Sequence, residues 1–169
     1  MSFPITQGSI MATLERAIAI AAQGHAGQVD KAGAPYILHP LRVMLAQSTD
    51  EARIVGVLHD LVEDCEGWTF ARLADEGFSP DIIEALKSVT KNDADKNPVR
   101  IGADGQVEEE DYGDFVRRAS LNRIGAQVKR ADLRDNMDWS RISAPSTRDL
   151  ERMQRYKTAL AFLDAGDGG

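Results

Sequence analysis

The residues of this 169-residue sequence with the clearest capacity for chemistry lie in one stretch, Val57-Leu58-His59-Asp60-Leu61-Val62-Glu63-Asp64. At ~100° per residue of an α-helix, with His59 at zero, Glu63 falls near ~40°, Asp60 near ~100° and Asp64 near ~140°. Ile54, Val55, Leu58, Leu61 and Val62 take the opposite arc. One helix would then carry an apolar face and a face holding an imidazole and three carboxylates. Such a face is either solvated acidic surface or a cation site, because carboxylates crowded beside a histidine repel one another unless a positive charge joins them. His39, just before Pro40 upstream, and Asp132, in Val128-Lys129-Arg130-Ala131-Asp132 downstream, supply a further imidazole and carboxylate. Together His39, His59, Asp60 and Asp132 would make a mixed N/O donor set. That set suits Mn²⁺, Fe²⁺ or Zn²⁺ better than Ca²⁺, and its lack of thiolate argues against a structural zinc.

The elements that must position these groups are helical almost throughout. Apolar residues Ile10, Leu14, Ala17, Ile18 and Ala21 recur at helical spacing behind Ser9, a candidate N-cap. A polar loop from about His25 to Tyr36 follows, then a helix with Pro40 expected at its first position. A third helix is expected from Asp50 through Val62, a short one between Thr69 and Gly77, and another after Ser79-Pro80. The pattern fails from Lys91 to about Gln106, a loop long enough to serve as a flap. Helices resume over Glu108–Ser120, Leu121–Asp138 and Thr147–Asp164. The acids from Asp104 to Asp114 are expected on solvated surface, as are Arg130 and Arg134. The fold expected is all-α, one domain over 1–169 with its core at about 9–164.

Composition narrows the functions. Twenty Lys and Arg against 27 Asp and Glu give a net charge of −7, which disfavours nucleic-acid binding by phosphate neutralisation. A small anionic ligand remains possible where a metal or a local basic cluster supplies positive charge. The single cysteine, Cys65, excludes an intramolecular disulfide and any Cys-based zinc site; it is expected to be a buried residue at a helix end. No early apolar run approaches the ~20 residues of a membrane span, and Met1-Ser2-Phe3-Pro4 carries no signal-peptide pattern. A cytoplasmic protein without a membrane partner is expected.

The order His25-Ala26-Gly27-Gln28, Gly33-Ala34-Pro35-Tyr36-Ile37-Leu38-His39-Pro40, Leu58-His59-Asp60-Leu61-Val62-Glu63-Asp64, Val89-Thr90-Lys91 and Val128-Lys129 to Asn136 resembles the HD phosphohydrolases. Within them it is similar to the hydrolase domain of RelA/SpoT homologues, especially the stand-alone small alarmone hydrolases, over about residues 10 to 140. The resemblance implies an HD-domain helical bundle in which His39, His59, Asp60 and Asp132 bind one Mn²⁺. It implies that Glu63 and Asp64 position and deprotonate the attacking water, that Lys31 lies next to the nucleotide, and that Asn136 lies near the sugar. The implied reaction removes pyrophosphate from the 3′ position of a guanosine or adenosine polyphosphate, (p)ppGpp or (p)ppApp. No synthetase domain follows in the sequence, so degradation of alarmones and not their synthesis is expected. Where such relatives usually carry an arginine that stacks on guanine, this chain has Asp30 in Gln28-Val29-Asp30-Lys31. A carboxylate cannot stack in that way. Beside the base it could accept from adenine's exocyclic amine or guanine's N–H groups, so Asp30 is expected to bind substrate, with weaker guanine preference and ppApp as an alternative substrate. Two other readings stay open: an HD-type nucleotidase or nucleoside-triphosphate hydrolase, and a non-catalytic nucleotide-binding or antitoxin-like module. Oligomeric state, the choice between Glu63 and Asp64 as base, and closure of the 91–106 loop are not legible in the sequence.

Overall fold

The computed structural model describes residues 11–92, 110–141 and 144–166. Ser9, Ile10, most of the 91–106 loop and residues 104–109 of the acidic stretch lie outside them. Among the described residues every regular element is helical: α1 (Leu14–Gly24), α2 (Leu38–Leu45), α3 (Asp50–Leu58), α4 (Leu61–Asp64), α5 (Phe70–Asp75), α6 (Pro80–Val89), α7 (Tyr112–Ser120), α8 (Arg123–Asn136), a 3-10 turn (Trp139–Arg141) and α9 (Thr147–Ala165). The ends follow local chemistry. Thr49, Thr69, Ser79, Asp111 and Asn122 each accept a backbone N–H from the first turn of the helix they cap, which satisfies a donor the helix cannot. Several boundaries differ from the sequence expectation, among them the start of α7 at Tyr112 and not Glu108. α1 starts at Leu14, because Thr13 is extended and accepts from the Arg16 N–H. α2 starts at Leu38, so Pro40 sits two residues into the first turn, where its missing N–H is still not needed. The third helix stops at Leu58 and resumes at Leu61; His59 and Asp60 form the joint.

α3 is the central element. Val55, Val57, Leu58 and, after the joint, Leu61 are fully shielded, against Ile20 of α1, Val43 of α2, Leu86 of α6 and Val128 of α8. Each such aliphatic side chain contributes roughly 1.5–3 kcal/mol when removed from water. A smaller cluster, Val116, Leu133, Ala159 and Leu163, ties α9 to α7 and α8. Gly56 sets the distance between α2 and α3. A Cβ there would lie 3.1 Å from the Met44 Cα and 3.2 Å from its nitrogen, so only glycine lets the two backbones approach this closely. That approach brings His39 beside His59.

Two surface expectations are corrected. Glu110 is buried, with both oxygens 2.7 Å from the Arg118 guanidinium. Arg130 is also buried, donating to the Leu163 carbonyl at 2.5 Å and lying 3.3 Å from Asp164. A buried charge requires such partners, and each partner here comes from a different element or turn. Arg134 is exposed and Cys65 is buried at the end of α4, both as expected.

Candidate metal centre and adjoining cleft

His39 enters from the first turn of α2, His59 and Asp60 from the joint after α3, and Asp132 from the middle of α8. His39, His59 and Asp132 offer ligand atoms that all lie within 4.8 Å of one another. His39 Nε2 is 3.2 Å from Asp132 Oδ1 and 3.5 Å from Asp60 Oδ2. His59 Nε2 is 3.1 Å from Asp60 Oδ2 and 3.7 Å from Asp132 Oδ1. At the joint both residues keep right-handed helical backbone angles, and the aspartate oxygen reaches its neighbour's ring.

Both rings use Nδ1 elsewhere. His59 Nδ1–H donates to the Gly56 carbonyl at 2.7 Å. His39 Nδ1–H donates to Asp135 Oδ2 at 2.7 Å. Each Nε2 is thereby aimed at the same two carboxylates, and the buried Nε2 of His59 has no hydrogen-bond partner within the protein. A buried polar atom in that position is expected to have a partner, and a divalent cation supplies one for both rings and both oxygens. The donor set fits such an ion, with the remaining imidazole nitrogens fixed as in other histidine metal sites.

The electrostatics agree. Burial disfavours ionisation of both carboxylates, but His59 outweighs it at Asp60, and Lys129 and the two histidines outweigh it at Asp132, so both pKa values fall below the ordinary carboxylate value. Burial also opposes protonation of His39 and His59, yet the aspartates raise both. Lys129 is buried with its ammonium 2.8 Å from Asp132 Oδ2. The Asn136 amide donates to Asp132 Oδ1 at 2.5 Å, and the Tyr36 hydroxyl donates to Asp60 Oδ2 at 2.6 Å.

Glu63, half-buried on α4, accepts the Lys91 N–H at 2.5 Å. Burial, with Asp60 and Asp64 adding to it, raises its pKa despite the opposing Lys91 bond. Asp64 is exposed, and its backbone carbonyl accepts from the Gln28 amide at 3.1 Å.

A cleft of about 280 Å³ opens beside His39. Its near wall holds Asp30, Lys31, Tyr36, Arg42, Asp135 and Asn136, and its far wall holds Trp139, Asp149, Arg152 and Tyr156. Lys31 is exposed and ion-paired with Asp149 of α9 at 3.1 Å. Asp30 Oδ1 accepts the N–H groups of Ala32 and Ala34 at 2.8 and 2.9 Å, closing the loop that turns through Gly33 at φ +81°. That is a structural task the sequence did not disclose. The sequence also left unassigned Arg42, Lys129 and Asp135, which hold the side chains of the cluster, and the far wall. Lys129 and Asp135 lie three residues either side of Asp132, so helical spacing from that aspartate could have found them.

No family model matches the chain. It is 32% identical over 139 residues to a probable GTP pyrophosphokinase of Mycobacterium leprae, covering 80% of this chain and 17% of that protein. It is 37% identical over 122 residues to a guanosine-3′,5′-bis(diphosphate) 3′-pyrophosphohydrolase of Haemophilus influenzae, covering 70% of this chain and 17% of that protein. The chain thus spans about a sixth of these curated relatives. A solved structure, described as "A metazoan ortholog of SpoT hydrolyzes ppGpp and plays a role in starvation responses", superposes with a TM-score of 0.68 at 20% identity, covering 100% of this chain and 89% of the other. The resemblance of this chain to the HD-domain hydrolases of the RelA/SpoT type is therefore carried both by its sequence and by its all-helical fold.

Proposed function

We propose that the protein is a Mn²⁺-dependent hydrolase that removes the 3′-pyrophosphate from an alarmone nucleotide, (p)ppGpp or (p)ppApp. The observation that carries this reading is the convergence of two Nε2 atoms and two carboxylate oxygens from three separate elements beside a cleft with cationic groups on both walls. His39, His59, Asp60 and Asp132 would hold the ion. When bound, a divalent cation there supplies Lewis acidity, which acidifies water and offsets phosphoryl charge.

The chain's own groups do the rest. Glu63 takes the proton from the attacking water, and its raised pKa suits a base working near neutral pH. Asp64, next to it on α4, shares in placing that water. Lys31 and Arg152 face the cleft and offset part of the charge of a polyphosphate. Asn136 orients the sugar end while bracing Asp132, and Trp139 and Tyr156 offer flat apolar surface for a base. With Asp30 committed to its own loop, no arginine stands at that place to stack on guanine, which supports relaxed base preference. The proposed partner is thus a small nucleotide polyphosphate, in the cytoplasm; no described helix is long and apolar enough to cross a membrane.

The test is product analysis with ppGpp, pppGpp and ppApp side by side, with and without Mn²⁺. Release of pyrophosphate with a nucleoside 5′-diphosphate (or, from pppGpp, 5′-triphosphate) product and dependence on added ion are expected. Turnover of nucleoside triphosphates or monophosphates in place of these would assign a nucleotidase, and absence of turnover on any of them would leave a binding module.

A further inference from the structure

We propose that Arg42 and Asp135 are positioning residues for His39, and that this pair determines how tightly the cluster holds a divalent metal. The inference rests on the reading of His39, His59, Asp60 and Asp132 as a metal site and adds to it two residues that touch no metal.

The two imidazoles are held by unlike means. His59 is braced by a backbone carbonyl of its own helix, Gly56, at 2.7 Å, so its orientation comes with the fold of α3. His39 sits in the first turn of α2 and is braced by a side chain 96 positions away on α8, Asp135 Oδ2, at 2.7 Å. That carboxylate is itself clamped. Arg42, one turn beyond His39 on α2, donates from Nε to Oδ1 at 2.5 Å and from Nη2 to Oδ2 at 3.0 Å. The two-point geometry of a guanidinium on a carboxylate fixes the carboxylate plane as well as its position. A carboxylate can only accept here, so it selects the His39 tautomer with hydrogen on Nδ1 and leaves Nε2 as the ligand atom. Asp135 is largely shielded, with 12% of its side chain exposed, and His39 with 9%, so water is a poor substitute for either partner.

Remove the clamp and the His39 ring loses what distinguishes its two nitrogens, while His59 keeps its brace. The loss falls on one ligand of four. Changes in groups that orient a metal-bound histidine typically cost about 10–100-fold in affinity.

The test is calorimetric titration of Mn²⁺ and of Zn²⁺ into the metal-free full chain, alongside thermal melts of the same metal-free proteins. Asp135→Asn sets amide hydrogens or a weaker acceptor against both His39 and Arg42. The double change Arg42→Leu with Asp135→Leu restores α2–α8 packing without charge, and an apolar pair in place of an ion pair is often neutral for stability. Arg42→Lys keeps the charge but cannot engage both oxygens. We expect tenfold or greater loss of affinity in Asp135→Asn and in the double variant, and a smaller loss in Arg42→Lys. Melting temperatures of the double variant and of Arg42→Lys should stay within a few degrees of the parent. His39→Ala serves as the reference for loss of the ligand itself. If His39→Ala loses the metal while Asp135→Asn and the double variant bind within threefold of the parent, the positioning role is overturned and the metal site stands. Affinity that falls only in proportion to melting temperature across the series would also overturn it, since the pair would then be structural. If the parent chain binds neither ion, the metal reading falls and this inference falls with it.

Discussion

Replacing Glu63 with glutamine separates chemistry from stability at this site. Glu63 Oε1 accepts the Lys91 N–H at 2.5 Å. Glutamine keeps an acceptor oxygen and nearly the same shape, so the bond to the Lys91 N–H persists in its neutral form. Burial and the neighbouring Asp60 and Asp64 raise the Glu63 pKa in the folded protein. Folding therefore favours the protonated form, and stability is lost as pH rises from the ordinary carboxylate value through the folded pKa. Glutamine is neutral at every pH and escapes that penalty. In the metal-free protein the two should be equally stable in the acid range, where Glu63 is protonated, and Glu63→Gln should become the more stable as pH rises through and above the ordinary carboxylate range. The rate effect runs the other way. Loss of a general base typically costs ~10²–10⁴-fold in rate, or roughly 3–5 kcal/mol of barrier. The assay is kcat on ppGpp and ppApp at saturating Mn²⁺, with metal content measured by elemental analysis and urea unfolding followed from pH 4 to 8 in chelator. Metal content should be unchanged while kcat falls at least a hundredfold. A variant with parental kcat refutes the role of Glu63 as base, and if Asp64→Asn then loses activity, the proton goes to Asp64.

His59→Ala or Asp60→Ala should abolish hydrolysis together with bound metal, checked by elemental analysis; full activity in a verified metal-free variant would refute the ligand assignment. Lys129→Met should lower the stability of the metal-free protein by about 3–5 kcal/mol, because it leaves the buried Asp132 without its ammonium partner. Saturating Mn²⁺ should recover part of that loss, which denaturant unfolding with and without the ion would measure, and equal losses in both conditions would contradict a cation at Asp132. At position 30, Asp30→Asn retains an acceptor for the Ala32 and Ala34 N–H groups, so kcat/KM should stay within about threefold of the parent, the scale of one neutral-for-charged hydrogen bond. The parent should favour ppGpp over ppApp by less than a hundredfold, and a larger ratio from competition assays would show that guanine is selected by other residues.

Much of the architecture was local and therefore legible. The Thr69 and Ser79 caps lie beside the residues they serve, and the apolar positions of α3 and α6 repeat every three to four residues, so segment type followed from short windows of sequence. The candidate donors were legible too, since choosing His39, His59, Asp60 and Asp132 as candidates depends on what the side chains can bind, whatever the path between them. Tertiary structure decided where those groups point and what holds them. The joint at His59-Asp60 follows no periodic signal, because Leu58 and Leu61 are buried on either side of it and the apolar pattern runs through unbroken. Arg130 and Glu110 read as surface because a charged residue is assigned to water unless its partner is known, and those partners lie on another helix or turn. The brace on His39 spans 96 positions and its clamp 93. A contact across such a span exists only once Gly56 has let α2 settle against α3 and α8 has packed beside both. Composition and spacing could name candidate ligands; the choice of His39 nitrogen that faces the cluster depended on a carboxylate delivered from the far side of the fold.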